Sequence, residues 1–205
     1  MKPDLLDQVQ AATQGQPDWL RKKRQLAMMM AHELPVTDHQ QTVLKKWLQN
    51  PQLDIDDEQV TTTLDGYVNL PIFLAAQQYP ELVQENLMEK AINWQASQLN
   101  ALHLAFLNGG RFVYVPNNTV VDQPIELQAT VSECNYHNLI IVGANSQVTI
   151  IENEAASDQR PSYLGTELLL GDSAQVNYYQ SNTFTAGHNW ESVRAYQAGD
   201  SLLNI

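Results

Sequence analysis

Apolar side chains in the first half of the chain recur at helical spacing, and proline and glycine interrupt the pattern. In the stretch 17–35, Pro17 and Asp18 are typical of a helix start, and Leu34-Pro35 is typical of a helix end. We predict a helix between them with one apolar stripe formed by Trp19, Leu26 and Met30.

The same pattern predicts further helices along the first 110 residues. One runs over 40–48, and others begin at Pro71 and at Pro80. The acidic stretch 52–66 between them is interpreted as a solvated connector. A last helix is predicted from Leu99, Leu102 and Phe106, and the pair Gly109-Gly110 is interpreted as its stop, since the residue after a helix often needs positive φ.

After Gly110 the period changes from helical to strand-like. The β-branched and aromatic run 112–115 is followed by the turn residues Pro116-Asn117-Asn118. Two later segments repeat an apolar run, a short turn and an alternating run: 139–143 with 147–151, and 168–171 with 175–179.

Glycines mark the repeat. Gly143, Gly171 and Gly199 are spaced 28 residues apart, and Gly171-Asp172-Ser173 recurs as Gly199-Asp200-Ser201. Periods of this size indicate stacked supersecondary units. We predict that each period is one coil of a flattened β-solenoid with Val148 stacked on Val176 inside, and Gln147 and Thr149 facing water. An antiparallel sandwich with the same strand lengths is the alternative.

The fold class predicted is therefore α+β. A helical N-terminal domain covers 1–110, and 111–205 forms the first coils of a flattened right-handed parallel β-helix.

Composition indicates a globular chain: 43% of the 205 residues are hydrophobic, and the formal net charge is −12. That charge repels nucleic-acid phosphates and anionic lipid surfaces. From Phe112 onward only Arg160 and Arg194 are basic, so the second half is an acidic module. Apolar stretches are far shorter than the roughly 20 residues that cross a bilayer, and the start has no secretory pattern. We expect a cytoplasmic protein.

Motifs for catalysis or nucleotide binding do not occur in the sequence. No glycine precedes lysine as a P-loop requires, no Gly-x-Ser-x-Gly elbow is present, and the Gly109-Gly110 pair does not follow a strand as a dinucleotide fingerprint does. The single cysteine excludes an internal disulfide. Asp54, Asp56 and Glu58 resemble a calcium loop, but Gln59 occupies the glycine position.

Cys134 and His137 are spaced like two metal ligands, yet two ligands do not make a site, and a buried thiol beside a turn histidine is the preferred interpretation. The other histidines show no partner spacing and are interpreted as structural or solvent-facing: His32, His39, His103 and His188. The basic run 21–24 spreads around a helix and forms no patch. We therefore assign no catalytic, cofactor-binding or metal residue.

A longer pattern resembles the SufB/SufD family of iron-sulfur cluster assembly proteins. It consists of a helix end over 100–108, Gly109-Gly110, an aromatic strand, Val115-Pro116, and Pro124-Ile125 one turn later. Further matches lie at 138–142, 148–152 and 166–171, while 17–21 and 80–83 resemble SufD rather than SufB. Asn117-Asn118 stands where the family commonly has Lys-Gly.

The resemblance implies a non-catalytic scaffold subunit that acts with a SufB-like paralogue and a SufC-like ABC ATPase. It implies no cofactor bound by this segment, with the iron-sulfur cluster and ATP entering only through the assembled complex. Family members continue well beyond a point like Ile205, so the chain is expected to be the N-terminal portion, without the C-terminal region that docks the ATPase. The open strand 202–205 would then favour self-association. The alternatives are a SufB-like subunit that carries the nascent cluster, and a β-solenoid carbohydrate-active enzyme.

Overall fold

The structure is a computed structural model that describes residues 4–49, 53, 62–64, 66–129, 135–156, 162–184 and 189–205. Its helices are α1 (Leu5–Ala12), α2 (Asp18–Met30), α3 (Asp38–Gln49), α4 (Ile72–Gln78), α5 (Pro80–Asn86) and α6 (Gln98–Phe106), with short 3-10 turns at Ala31–Glu33 and Trp94–Ala96. The predicted helices are confirmed. No helix within the described ranges combines the length and apolarity needed to cross a membrane.

The buried face of α2 differs from the predicted stripe. Leu20, Arg24 and Ala27 are buried, whereas Leu26 is 42% exposed. Trp19 and Met30 are only half-buried. Trp19 and Met30 pack against the core, so the predicted stripe is wrong at Leu26 only. The buried Arg24 completes the inward face, and sequence patterning assigns arginine to the solvent side.

Within the described residues, ten strands form two sheets. They are β1 (Thr62–Leu64), β2 (Tyr67–Pro71), β3 (Arg111–Val115), β4 (Ile125–Ala129), β5 (Asn135–Val142), β6 (Gln147–Ala156), β7 (Ser162–Leu170), β8 (Gln175–Phe184), β9 (Asn189–Gln197) and β10 (Leu202–Asn204). Sheet 1 has the order β1-β2-β3-β5-β7-β9, and sheet 2 has the order β10-β8-β6-β4.

From β3 onward, successive strands alternate between the two sheets, and each pairs in parallel with the strand two places later. The glycine-marked segments are therefore adjacent layers, and the antiparallel sandwich is wrong for this region. Val148 pairs with Val176, and both are buried, while Gln147 is exposed. The hand of the coil stays a prediction.

The glycines are not the true markers of the repeat. The corner residues with positive φ are Asn118, Asn145, Ser173 and Asp200, which are spaced 27, 28 and 27 residues apart. Leu170 pairs with Gln197, so Gly199 lies beside Asp172 and not beside Gly171, and its amide donates to the Asp172 carboxylate at 3.0 Å. The identical Gly-Asp-Ser triplets are thus offset by one residue.

Two strands, β1 and β2, precede the parallel stack that begins at β3, and they lie inside the region predicted to be helical. Strand β2 pairs antiparallel with β3, and β1 pairs antiparallel with β2. The interpretation of 52–66 as a connector is wrong for 62–64, and 54–61 lie outside the described residues. The predicted boundary between residues 110 and 111 stays a prediction.

Gly110 does not cap α6 directly, because the helix ends at Phe106 and its C-cap residue Leu107 has φ −49°. Gly110 has φ +138°, and an added Cβ would lie 1.9 Å from the His137 carbonyl oxygen. The glycine is required for close approach between two backbones rather than for the helix stop.

Apolar residues pack on both sides of sheet 1. Between the sheets lie Val113, Ile140, Leu168, Val148 and Val176, among others. On the outer side, Phe112, Leu139 and Leu169 pack against the helices. Because sheet 1 is covered on both faces, polar residues in its middle strands must find partners inside the protein.

Candidate functional site

A buried chain of polar side chains joins the helices to sheet 1. His103 on α6 lies 3.0 Å from His137 on β5 through Nε2 and Nδ1. His137 Nε2 lies 3.0 Å from Glu167 Oε2 on β7. All three residues are fully buried. We call them the His-His-Glu relay.

Glu167 is held by the backbone of the segment 87–93. Its Oε2 accepts from the Met88 amide and its Oε1 from the Ile92 amide, each at 2.7 Å. Met88 has φ +54°, a conformation that costs a non-glycine residue free energy. The two bonds to one carboxylate hold the segment in this shape against that cost.

The hydrogen-bond order of the relay follows from Glu167, since a carboxylate accepts and does not donate. His137 Nε2 therefore donates to Glu167, and His137 Nδ1 accepts. The donor to His137 Nδ1 is then Nε2 of His103. The pKa of His103 is well below its ordinary value, mainly because the ring is buried and to a smaller extent because His137 and Arg24 are close. His103 is therefore uncharged at neutral pH.

Parallel pairing and two glycines position His137. Gly165 is its partner in β7, and a Cβ there would lie 2.5 Å from His137 Nδ1 and 3.2 Å from His103 Nε2. Gly110 lets the preceding backbone approach His137 from the other side. The relay fits only because both neighbouring positions lack a side chain.

Tyr163 connects the relay to an open cleft. Its ring stacks on His103 with centroids 3.8 Å apart, and its hydroxyl donates to Asn100 Oδ1 at 3.1 Å. Burial is the main cause that raises the pKa of Tyr163 to about 12. The cleft has a volume of about 410 Å³ and is lined by residues that include Pro35, Ile92, Ser97, Trp190 and Arg194.

Two cations of α2 secure the same region. Lys23 donates to the Leu87 carbonyl and pairs with Glu89, each at 2.6 Å, and burial lowers its pKa. Arg24 donates to the Ala105 and Leu107 carbonyls at 2.9 and 2.6 Å. These are orphan carbonyls of the α6 end, so Arg24 acts as its cap. Burial lowers the pKa of Arg24 to about 9.

The four residues of the basic run are separated in space, as predicted. Arg21 forms only an exposed i,i+3 pair with Asp18, whereas Lys23 and Arg24 are directed into the protein. No patch of four positive charges forms.

The histidines divide into two groups. His32 and His39 are exposed, as the sequence interpretation allows. His137 is not a turn residue ahead of a strand, because it lies within β5, and it contacts His103 rather than acting separately. Cys134 and His188 lie outside the described residues. Within those residues, no group of three His, Cys, Asp or Glu side chains is arranged to hold a metal ion.

The relay links structural elements through buried hydrogen bonds, and none of its three side chains reaches the surface. It bonds α6, β5, β7 and the segment 87–93 in one connected network. Movement of the helices relative to sheet 1 would break several buried hydrogen bonds at once.

Comparison with known proteins finds sequence similarity to one family. The family model of the SufBD protein N-terminal region matches residues 44–127, from α3 to β4. The iron-sulfur cluster assembly protein SufD of Bacillus subtilis (strain 168) is 26% identical over 220 aligned residues, covering 84% of this chain. The chain is similar to the SufB/SufD family and is SufD-like. The predicted resemblance is confirmed.

A second relative is an iron-sulfur cluster assembly SufBD family protein of Pyrococcus horikoshii. It is 35% identical over 91 residues, which is 42% of this chain and 20% of that protein. The chain spans 50% of the length of the B. subtilis SufD. The SufB/SufD-family similarity therefore includes both the helices and the coil, but only part of each relative.

Proposed function

We propose that the chain is part of a non-catalytic scaffold subunit of a Suf-type iron-sulfur cluster assembly complex, of the SufD kind. The observation that supports this most is the similarity to a SufD over 84% of the chain, which extends beyond the matched N-terminal region. The partners proposed are a SufB-like paralogue and a SufC-like ABC ATPase, and the proposed location is the cytoplasm.

The scaffold proposed is a flattened right-handed β-helix. Parallel strands joined by a crossover in one sheet are almost always connected in the right-handed sense, which supports this hand for β3, β5, β7 and β9. Backbone hydrogen bonds between layers make such a stack stiff along its axis. A stiff body of this kind suits the transmission of motion from an ATPase at one place to a paralogue at another.

The His-His-Glu relay supports the same role. A scaffold transmits a displacement only if its parts move together, and the relay fastens α6 and the segment 87–93 to β5 and β7. We propose that its task is mechanical. The iron-sulfur cluster and ATP then enter through the assembled complex and are not bound by the relay.

Co-purification tests the proposal. The native protein that contains this chain is tagged at its genomic locus and isolated from its own cells at moderate salt. We expect a SufB-like protein and an ABC ATPase to elute with it in constant ratio through size-exclusion chromatography. Repeated isolation without either protein, from cells that express both, would contradict the proposal.

A further inference from the structure

A second buried polar cluster lies between the two sheets, separate from the relay. Glu152 on β6 points into the coil and is fully buried. Its carboxylate accepts from Asn138 Nδ2 at 2.7 Å, from Thr166 Oγ1 at 2.9 Å and from Tyr178 Oη at 2.5 Å. Three donors from β5, β7 and β8 are the environment of an ionised carboxylate.

Glu154 lies two residues further along β6, so its side chain points into the same interior. It is 2% exposed, and its Oε2 has no hydrogen-bond partner. Its carboxyl group interacts with that of Glu152 and faces Gln180, whose buried Nε2 has no hydrogen-bond partner among the described residues. Two carboxyl groups thus meet in a space closed to water.

Among the residues that the structure describes, the groups that face this pair add no positive charge. Asn138 and Thr166 face it from sheet 1, Tyr178 and Gln180 face it from β8, and Glu191 on β9 adds further negative charge. In the described part of the chain, neither Glu152 nor Glu154 forms an ion pair with lysine, arginine or histidine. Two adjacent buried negative charges without a counter-ion are strongly unfavourable.

We propose that Glu154 is a carboxylic acid at neutral pH and donates its proton to the Glu152 carboxylate, so that the pair forms an alkali-sensitive latch inside the coil. Through the donors of Glu152, the latch connects β6 to β5, β7 and β8. Burial, as the largest cause, and the neighbouring Glu152 raise the pKa of Glu154 to about 10. Burial, then Glu152, also raise the pKa of Tyr178, which keeps it a donor.

Infrared spectroscopy tests the protonation state directly. The carbonyl stretch of a protonated carboxylic acid is separate from that of a carboxylate, and we expect it in the wild-type chain at pH 7. Glu154→Gln should abolish this band and keep the fold, because an amide can donate to Glu152 in the same way. Glu126→Gln is the matched control, since Glu126 lies on the same sheet but is exposed. The absence of the band from the wild type at pH 7 would overturn the proposal.

Unfolding equilibria provide a second readout. The folded pKa of Glu154 lies above its ordinary value of 4.5, so the folded state binds one more proton than the unfolded state between pH 5 and 9. Stability from this group is complete below the unfolded pKa and is lost as pH rises toward the folded one. The unfolding constant of the wild type should therefore increase up to about tenfold per pH unit relative to E154Q. Equal pH dependence in the two proteins would overturn the proposal.

Discussion

Gly165→Ala is the sharpest test of the His-His-Glu relay. The substitution adds a single carbon, and that carbon would lie 2.5 Å from His137 Nδ1, 3.0 Å from His137 Cε1 and 3.2 Å from His103 Nε2. Both rings belong to the fully buried core, so neither can turn toward solvent. One of the hydrogen bonds in the relay must lengthen or break.

The expected cost combines three contributions. Overpacking a buried site costs about 1–3 kcal/mol. A buried polar group that loses its partner costs about 1–3 kcal/mol. Replacement of glycine by alanine in a strand otherwise gains about 0.5–1 kcal/mol. We expect Gly165→Ala to lower the free energy of unfolding by about 1–5 kcal/mol.

Urea denaturation followed by circular dichroism measures this change. Gly199→Ala is the matched control, because its added Cβ meets only Asp172 Oδ1 at an ordinary 3.4 Å and its φ is not positive. That control should change stability by less than about 0.5 kcal/mol. In a His137→Ala background the clash is absent, so Gly165→Ala should cost much less there.

A Gly165→Ala protein as stable as the Gly199→Ala protein would refute the geometry of the relay. Equal costs of Gly165→Ala in the wild-type and His137→Ala backgrounds would refute the contact between the two residues.

Three further changes test neighbouring parts of the structure. Arg24→Met leaves the Ala105 and Leu107 carbonyls without their donor and should lower the free energy of unfolding by about 2–5 kcal/mol. Arg21→Met removes only an exposed ion pair and should lower it by less than about 1 kcal/mol in the same denaturation assay. The folded pKa of His103 lies below its ordinary value of 6.5, so the unfolded state binds more protons under acidic conditions. The free energy of unfolding should therefore fall from pH 7 to pH 5 by up to about 1.4 kcal/mol per pH unit. His103→Gln should reduce this loss, and the substitution His32→Gln at an exposed position should not. Ser173→Gly relieves a positive φ of +57° and should stabilise the chain by up to about 1 kcal/mol, and a destabilised variant would contradict the corner assignment.

Much of the architecture is predictable from the sequence because its causes are local. Helical and alternating apolar patterns determine the elements, and the near-constant spacing of turn residues predicts parallel stacking. The offset of Gly199 was missed because identical triplets suggested one period, whereas the pairing of Leu170 with Gln197 shifts the last layer by one residue.

The relay was missed for a different reason. His103, His137 and Glu167 are far apart in sequence, and no spacing rule links a helix residue to a strand in a later layer. The repeat contains part of the information, because a shift of 28 residues places Gly165 beside His137. A glycine at that position leaves room for the imidazole ring of His137. The burial of Arg24 could not be predicted either, because it depends on where α6 ends.

We propose that this chain serves assembly rather than carrying a cluster itself. Chemical reconstitution with ferrous iron and sulfide, followed by absorption spectroscopy after desalting, measures this on the native protein alone and on its complex with the SufB-like and ATPase partners. We expect a stable cluster on the complex and none on the protein alone. A stable cluster on the isolated protein would contradict the claim and favour a SufB-like, cluster-bearing role.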